Sequence, residues 1–371
     1  MTTRDAITDV GGMRVGHAQR TGDGWLTGTT VVLAPAGGAV TAVDVRGGGP
    51  GTRETDALDP RNAVERVDAI TLSGGSAFGL AAATGVAEWL EEQGRGVPVG
   101  PDPAQVVPVV PAAVLFDLGR GGRWRARPDA PMGREAVEAA ARTELGAEVP
   151  QGSVGAGTGA VAGGLKGGIG SASAKLPSGT TVGVIAAVNA AGSVLDPGTG
   201  VLYGELYGAL SGARPSERPG GLPLTPGEAE HAAAQRRLTE ASAETGRRTA
   251  GVLRPPLNTT LAVVATDARL TRPQAQKLAG TAHDGLARAV RPVHLMHDGD
   301  SVFTMATGER PLAEGELNDL LTAGADVLTR AVVKAVLATE TIDGPGGVFP
   351  SYRDLYGLTT SPDASRGYGD A

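Results

Sequence analysis

Between residues 152 and 170 the chain reads GSVGAGTGAVAGGLKGGIG, a stretch with almost no side chains to pack. Gly makes up 58 of the 371 residues, in clusters and without a collagen-like period, about twice its usual share. Clustered glycine predicts tight turns and places where one backbone closely approaches another. Aromatic residues amount to only 3%, so a core must be assembled from Ala, Val, Leu and Ile. At this length, with 41% hydrophobic and 20% charged residues, the chain suits one large globular domain or two ordinary ones.

Composition removes several function classes. The formal net charge is −7 and no Lys/Arg stripe is interleaved with aromatics, so nucleic acid is not an expected partner. No cysteine is present, which excludes disulfides, thiol nucleophiles and Cys-based metal sites. The N-terminus, MTTRDAITDVGGMRVG, lacks the continuous apolar core of a signal peptide. No apolar run reaches the roughly 18 residues of a membrane span. A cytoplasmic protein without membrane contact is expected.

Short β-like runs, WLTGTTVVLA and AVTAVDV, are separated by Gly turns and followed by the Gly-rich loop RGGGPGTRETDAL. Residues 68–93 read as strand, loop and helix: DAITL, SGGSAFG and LAAATGVAEWLEEQ. GREAVEAAARTEL has helical spacing, and GSASAKL and TTVGVIAAVNAAG read as strands. Residues 211–258 combine a Pro/Gly/Arg-rich stretch with the polar helical piece EAEHAAAQRRLTEASAE, which predicts an exposed connector, mobile at least in part. TRPQAQKLAGTAHDGLARAV predicts a helix with Thr271 as N-cap. PVHLMHDGDSVFTMAT resembles a β-hairpin turning near Asp298-Gly299, and EGELNDLLTAGADVLTRAVVKAVLAT is the longest expected helix. After about residue 356 a loose tail is expected.

Individual motifs admit plain readings beside chemical ones. GGSAFG ahead of a helix suggests an anion-binding loop, but it fits neither common nucleotide-binding pattern, and tight strand-to-helix packing is favoured. HLMHDGD at 294–300 offers His294, His297, Asp298 and Asp300 as metal ligands. In a strand, however, positions three apart point to opposite faces, and turn chemistry explains Asp298 as well. Neither a metal nor a cofactor is expected. Lys166, alone among glycines, is either a solvated turn lysine or a fixed ammonium approached closely by backbone. Asn189, after GVIAAVN, is either a turn residue or an oxyanion donor.

The segment PPLNTTLAVVATD at 255–267 places Thr259 and Thr260 directly before an apolar strand. It is either an ordinary loop-to-strand junction or a point of chain cleavage that turns Thr259 into a reactive N-terminus. Together with RGGGPGTRET, LSGGSAFGLAAATGV, VPVVPAAVLFDL, VIAAVNAAG and PVHLMHDGDSVFTMATG, it resembles the N-terminal-nucleophile hydrolases typified by L-aminopeptidase/D-esterases, β-aminopeptidases and the nylon-oligomer hydrolase. The resemblance runs from the start to about residue 352. It implies an αββα sandwich of the α/β (α+β) class, related to Ntn-hydrolases but differently connected. It also implies self-cleavage between Asn258 and Thr259 into an α chain, 1–258, and a β chain, 259–371, assembled as a homo-oligomer such as a tetramer of αβ units.

A Thr hydroxyl is a weak nucleophile until a base takes its proton. A freed α-amino group titrates near 8, about two units below a lysine, which suits that task at neutral pH. By resemblance, Thr259 is the nucleophile, and Asp298 and Asp300 orient its amine and hydroxyl. Lys166 then supports the electrostatics and Asn189 helps hold the oxyanion. Phe116 stands where the nylon-oligomer hydrolase has a tyrosine, so any hydroxyl role there is lost. The implied substrates are short peptides or ω-amino-acid oligomers. An acyltransferase of the ornithine-acetyltransferase type and an unprocessed ligand-binding protein are the alternatives.

Overall fold

The strand Thr181–Ala187 is buried on both faces. Val184 and Ala186 join one apolar cluster, whereas Ile185 and Ala187 join another. A strand apolar on both sides must be covered on both sides, and that requirement organises the architecture. The computed structural model describes residues 4–210, 226–249 and 257–358. Parts of the expected connector (211–225 and 250–256) and of the expected tail (359–371) lie outside the described residues.

Two sheets stack face to face. The first has the spatial order Arg14–Gly22, Trp25–Leu33, Ala69–Ser73, Ala112–Val114 and Thr52–Arg53. The second runs Ile169–Lys175, Thr181–Ala187, Leu261–Ala268, Ser301–Arg310, Ala39–Val45 and Arg66–Val67. Their inner faces enclose Val32, Ile70, Leu72, Leu115, Ile185, Leu261, Val263, Phe303 and Met305. The outer face of the first sheet, with Val31 and Leu33, packs on the helices Ala82–Glu92 and Ala130–Arg142. That of the second, with Ala262 and Val264, packs on Arg272–Ala289 and Glu316–Leu337. The layers are therefore helix, sheet, sheet and helix, as the resemblance implied. Small alanine and glycine faces let these layers approach closely.

Local signals account for the helix starts. Asp129 caps Ala130–Arg142 by accepting from Met132 N–H, and Thr271 caps Arg272–Ala289, whose first turn contains Pro273. The latter helix carries the chain from Leu261–Ala268 over the sheet to Ser301–Arg310, and these two strands pair in parallel. This corrects the expected hairpin: residues 291–300 form the return loop of a crossover, not one arm of a hairpin. Turn chemistry at Asp298-Gly299 is compatible with either connection, and long-range pairing selected the parallel one.

Within the segment read as an exposed connector, Glu228–Arg248 is helical, with His231, Ala234 and Ala241 buried. Its Thr245 hydroxyl accepts from Val348 N–H at 2.9 Å, so this part is docked rather than free. Among the described residues, no helix is long and apolar enough to cross a membrane.

Candidate active site

The parallel pairing Leu261↔Ser301 continues backwards to a bridge between Asn258 and Asp298. Asn258–Thr259–Thr260 and Asp298–Gly299–Asp300 consequently face each other at the leading ends of two adjacent central strands. All the named side chains here are buried. Thr259 Oγ1 donates to the Asn258 carbonyl oxygen at 2.5 Å, and the Gly299 N–H donates to that same oxygen at 3.2 Å. Thr259 N–H donates to the Asn189 carbonyl at 2.6 Å. The hydroxyl is therefore packed against the carbonyl group that precedes it in the chain, and a backbone donor is already directed at that carbonyl's oxygen.

Glycine is required at this approach. A Cβ on Gly299 would lie 2.7 Å from Thr259 Oγ1. From the other side the Gly-rich loop cradles the same turn. Gly49 N–H donates to Asp298 O at 2.7 Å and Arg46 N–H to Asp300 O at 3.0 Å. A Cβ on Gly47 would sit 2.3 Å from Asp300 N. RGGGPG thus serves close backbone contact, as the composition suggested.

The two carboxylates occupy different environments. Asp300 Oδ1 accepts from Thr260 N–H at 2.7 Å. Its Oδ2 accepts from His294 N–H at 3.2 Å and meets His294 Nδ1 at 2.8 Å. Asp298 Oδ2 accepts from Leu295 N–H at 3.0 Å, while its buried Oδ1 makes no hydrogen bond, although the Ala191 amide lies beside the carboxylate. Burial pushes the Asp298 pKa above the usual carboxylate range, with the neighbouring Asp300 charge adding to the shift. Such a group is poised to take or hold a proton. His294 is occupied with Asp300, and no cluster of three or more potential metal ligands occurs among the described residues.

Asn189 is clamped by three partners. Its Oδ1 accepts from Val161 N–H at 3.0 Å and from Arg120 Nη1, and its Nδ2 donates to the Phe116 carbonyl at 3.3 Å. One N–H of this amide has no acceptor among the described residues, leaving it available to an oxyanion. Phe116 contributes its backbone here, with its ring 6.4 Å from that of Trp124.

Lys166 is fully buried, so the solvated-turn reading fails. Its ammonium donates to the carbonyls of Gly157, Ala160 and Gly167 at 2.9, 3.0 and 2.5 Å. Burial, with the Arg120 charge, lowers its pKa to about 7, yet three carbonyl acceptors are satisfied only by the protonated form. As an ammonium it has no donor left for Thr259. Its effect therefore runs through the loop it holds, since the Val161 peptide that follows Ala160 binds both Asn189 and Asn258.

The sequence reading missed Arg120 and Asp117. Arg120 is buried and donates to Gly159 O at 2.7 Å, to Asn258 Oδ1 at 3.1 Å and to Asn189 Oδ1. Burial lowers its pKa to about 10 and raises that of Asp117 to about 6. Asp117 accepts from Thr27 Oγ1 and Gly75 N–H, both at 2.6 Å, so GGSAFG closes on its own carboxylate, in keeping with the packing reading. The available signal was a charged pair ending the apolar run VVPVVPAAVLFDLGR, although Arg123, Arg125 and Arg127 directly after it obscure which arginine turns inward.

Comparison with known proteins agrees with this arrangement. Residues 5–349 match peptidase family S58. The chain belongs to that family. An uncharacterised aminopeptidase of Mycobacterium tuberculosis is 47% identical over 370 residues, covering 95% of this chain and 98% of the relative. A 6-aminohexanoate-oligomer endohydrolase of Kocuria is 29% identical, over 81% of this chain and 76% of the relative. The solved structure of an L-aminopeptidase D-Ala-esterase/amidase from Ochrobactrum anthropi, described as a variant of the Ntn-hydrolase fold, superposes with a TM-score of 0.68 at 18% identity. That match covers 96% of this chain and 95% of the other. This S58 peptidase is thus a hydrolase of peptide-type bonds with an Ntn-like fold.

Proposed function

We propose that Thr259 first cleaves its own chain and then, as a new N-terminus, hydrolyses amide bonds of short peptides or ω-amino-acid oligomers. The observation that carries this reading is the Thr259 hydroxyl held 2.5 Å from the Asn258 carbonyl oxygen, which also receives the Gly299 N–H. In maturation, Thr259 Oγ1 adds to the Asn258 carbonyl carbon, the C–N bond breaks and an ester forms. The hydroxyl proton passes to the departing nitrogen, which becomes the Thr259 α-amine. Water then hydrolyses the ester, leaving an α chain of 1–258 and a β chain of 259–371. In turnover the same hydroxyl attacks substrate with the freed amine as base. Asp298 accepts that amine's charge, Asp300 fixes the Thr260 peptide, and Asn189 and the Gly299 N–H support the oxyanion. A homo-oligomer of αβ units, such as a tetramer, is proposed from the family resemblance and is tested by light scattering of the purified protein.

The test of the central reading is an intact-mass spectrum under denaturing conditions. Species of about 26 and about 11 kDa are expected, the lighter beginning at Thr259. Thr259→Ala should give a single chain without hydrolase activity. Cleavage persisting in that variant, or a cut elsewhere, would remove Thr259 as nucleophile.

A further inference from the structure

Before cleavage, the Asn258 side chain fills a buried socket built from three other segments. Its Nδ2 donates to the carbonyls of Ala190 and Val161 at 2.6 and 3.3 Å. Its Oδ1 accepts from Arg120 Nη2 at 3.1 Å. Arg120 is itself buried and anchored by Gly159 and Asn189. Asn258 is 4% exposed and Leu257 immediately before it is 51% exposed, so the chain reaches the surface one residue ahead of the socket. When residue 258 withdraws after cleavage, the Val161 carbonyl loses its side-chain donor and a buried guanidinium N–H loses its acceptor, while the Ala190 carbonyl loses the shorter of two donors and keeps the Gly163 N–H at 3.1 Å. Unpaired buried polar groups are costly, so the emptied socket favours whatever restores all three bonds.

The ester formed during maturation and the acyl-enzyme formed during turnover are the same kind of species, an acyl group on Thr259 Oγ1 beside a free Thr259 amine. The side chain attached next to the carbonyl therefore projects into the same socket in both. We infer that the mature enzyme selects acyl donors whose N-terminal residue carries a primary carboxamide, namely asparaginyl peptides and amides. This rests on the Thr259 reading above. One planar amide group supplies both the oxygen for Arg120 and the N–H bonds for Ala190 and Val161. A carboxylate would oppose two carbonyl oxygens, and the nearly isosteric leucine would leave the Arg120 N–H and the Val161 carbonyl without their side-chain partner, with Ala190 O bound only by the Gly163 N–H. The substrate α-ammonium takes the place of the Asn258 backbone N–H, which meets the His297 carbonyl at 3.4 Å. Thr259 Oγ1 adds to the asparaginyl carbonyl and the scissile C–N bond breaks. The hydroxyl proton leaves with the amine product by way of the Thr259 α-amine. Water then splits the ester, releasing asparagine and restoring the hydroxyl.

The experiment uses the wild-type enzyme after mass spectrometry has shown both chains. Release of p-nitroaniline is followed from the asparaginyl, leucyl, aspartyl and 6-aminohexanoyl anilides, with L-asparagine amide and L-leucine amide as competing inhibitors. The asparaginyl substrate should exceed the leucyl and aspartyl ones in kcat/KM by about 100-fold or more, and only asparagine amide should inhibit at low concentration. Leucyl or 6-aminohexanoyl turnover equal to or above asparaginyl would overturn the inference while leaving Thr259 as nucleophile. Two chains inert toward every anilide would overturn the inference and the proposed turnover while leaving self-cleavage at Thr259 in place, and a chain found uncut by mass spectrometry beforehand would overturn both readings.

Discussion

An alanine at position 299 would place a methyl carbon 2.7 Å from Thr259 Oγ1 and 2.9 Å from the Gly49 carbonyl oxygen, where ordinary contact begins at 3.4 Å. Relief requires a displacement of about 0.5–1 Å, either of the Thr259 hydroxyl or of the 298–300 backbone. The first moves the nucleophile off the Asn258 carbonyl, and misplacement by about 1 Å can cost about 100-fold. The second pulls the Gly299 N–H from the Asn258 oxygen it meets at 3.2 Å, and losing one oxyanion donor costs about 2.7–4 kcal/mol, or about 100- to 1,000-fold. Either route predicts that Gly299→Ala matures about 100- to 1,000-fold more slowly. The overpacking itself costs about 1–3 kcal/mol of stability, so a folded precursor should remain. The assay follows the lighter chain by intact mass over time, with circular dichroism confirming the fold. Maturation at the wild-type rate in a folded Gly299→Ala protein would refute the assignment of Gly299 and the reading of Thr259 geometry from which it came.

Asp298→Asn should slow both maturation and turnover. Because burial raises the Asp298 pKa, wild-type activity should fall with acidification at a pH above the ordinary carboxylate range, and a pH–rate profile unchanged in the variant would exclude it. Lys166→Met removes the ammonium from three buried carbonyls, of which Gly157 O and Ala160 O keep backbone donors from Ala160 and Gly167, and should cost about 1–3 kcal/mol and slow maturation. The folded lysine titrates near 7 against 10.5 when unfolded, so the unfolded chain binds the extra proton. The folded lysine is the ammonium below about pH 7 and neutral above it, so wild-type stability should rise from about pH 7 to about pH 10.5; urea melts should lose this slope in the variant, and a full slope there would assign the proton uptake to another group. His283 is fully buried, with Nε2 at 2.9 Å from the Asp44 carbonyl, and burial lowers its pKa from 6.5 to about 4. Its contribution, at most about 3 kcal/mol, is present above pH 6.5 and lost as pH falls towards 4. His283→Gln should flatten acid denaturation in that window, and an unaltered acid limb would assign the effect elsewhere.

Much of the layer architecture was written locally. Short β-like runs between Gly turns located the strands Trp25–Leu33 and Thr181–Ala187, and helical spacing the helices Ala130–Arg142, Arg272–Ala289 and Glu316–Leu337, because run length, helical periodicity and caps are properties of neighbouring residues. Two threonines directly before an apolar strand marked the place, but taken alone they fit a plain loop-to-strand junction equally, and only the family resemblance made Thr259 the candidate nucleophile. What failed was the hairpin at residues 292–307. Alternation shows that a segment is a strand without saying which strand it joins, and the helix 272–289 carried it to a parallel partner.

The site divides along the same line. By itself the chain determined which groups can react and where glycine permits close approach, since both are carried by residue type within a few positions. Only the tertiary structure decided that Gly299 N–H meets the Asn258 carbonyl, that Lys166 is wrapped by three carbonyls, and that Arg120 grips two asparagines 69 and 138 residues away. Burial and partnership between distant segments arise when the sheets stack, and the altered proton affinities of Lys166, Asp117 and Asp298 follow from the water excluded there.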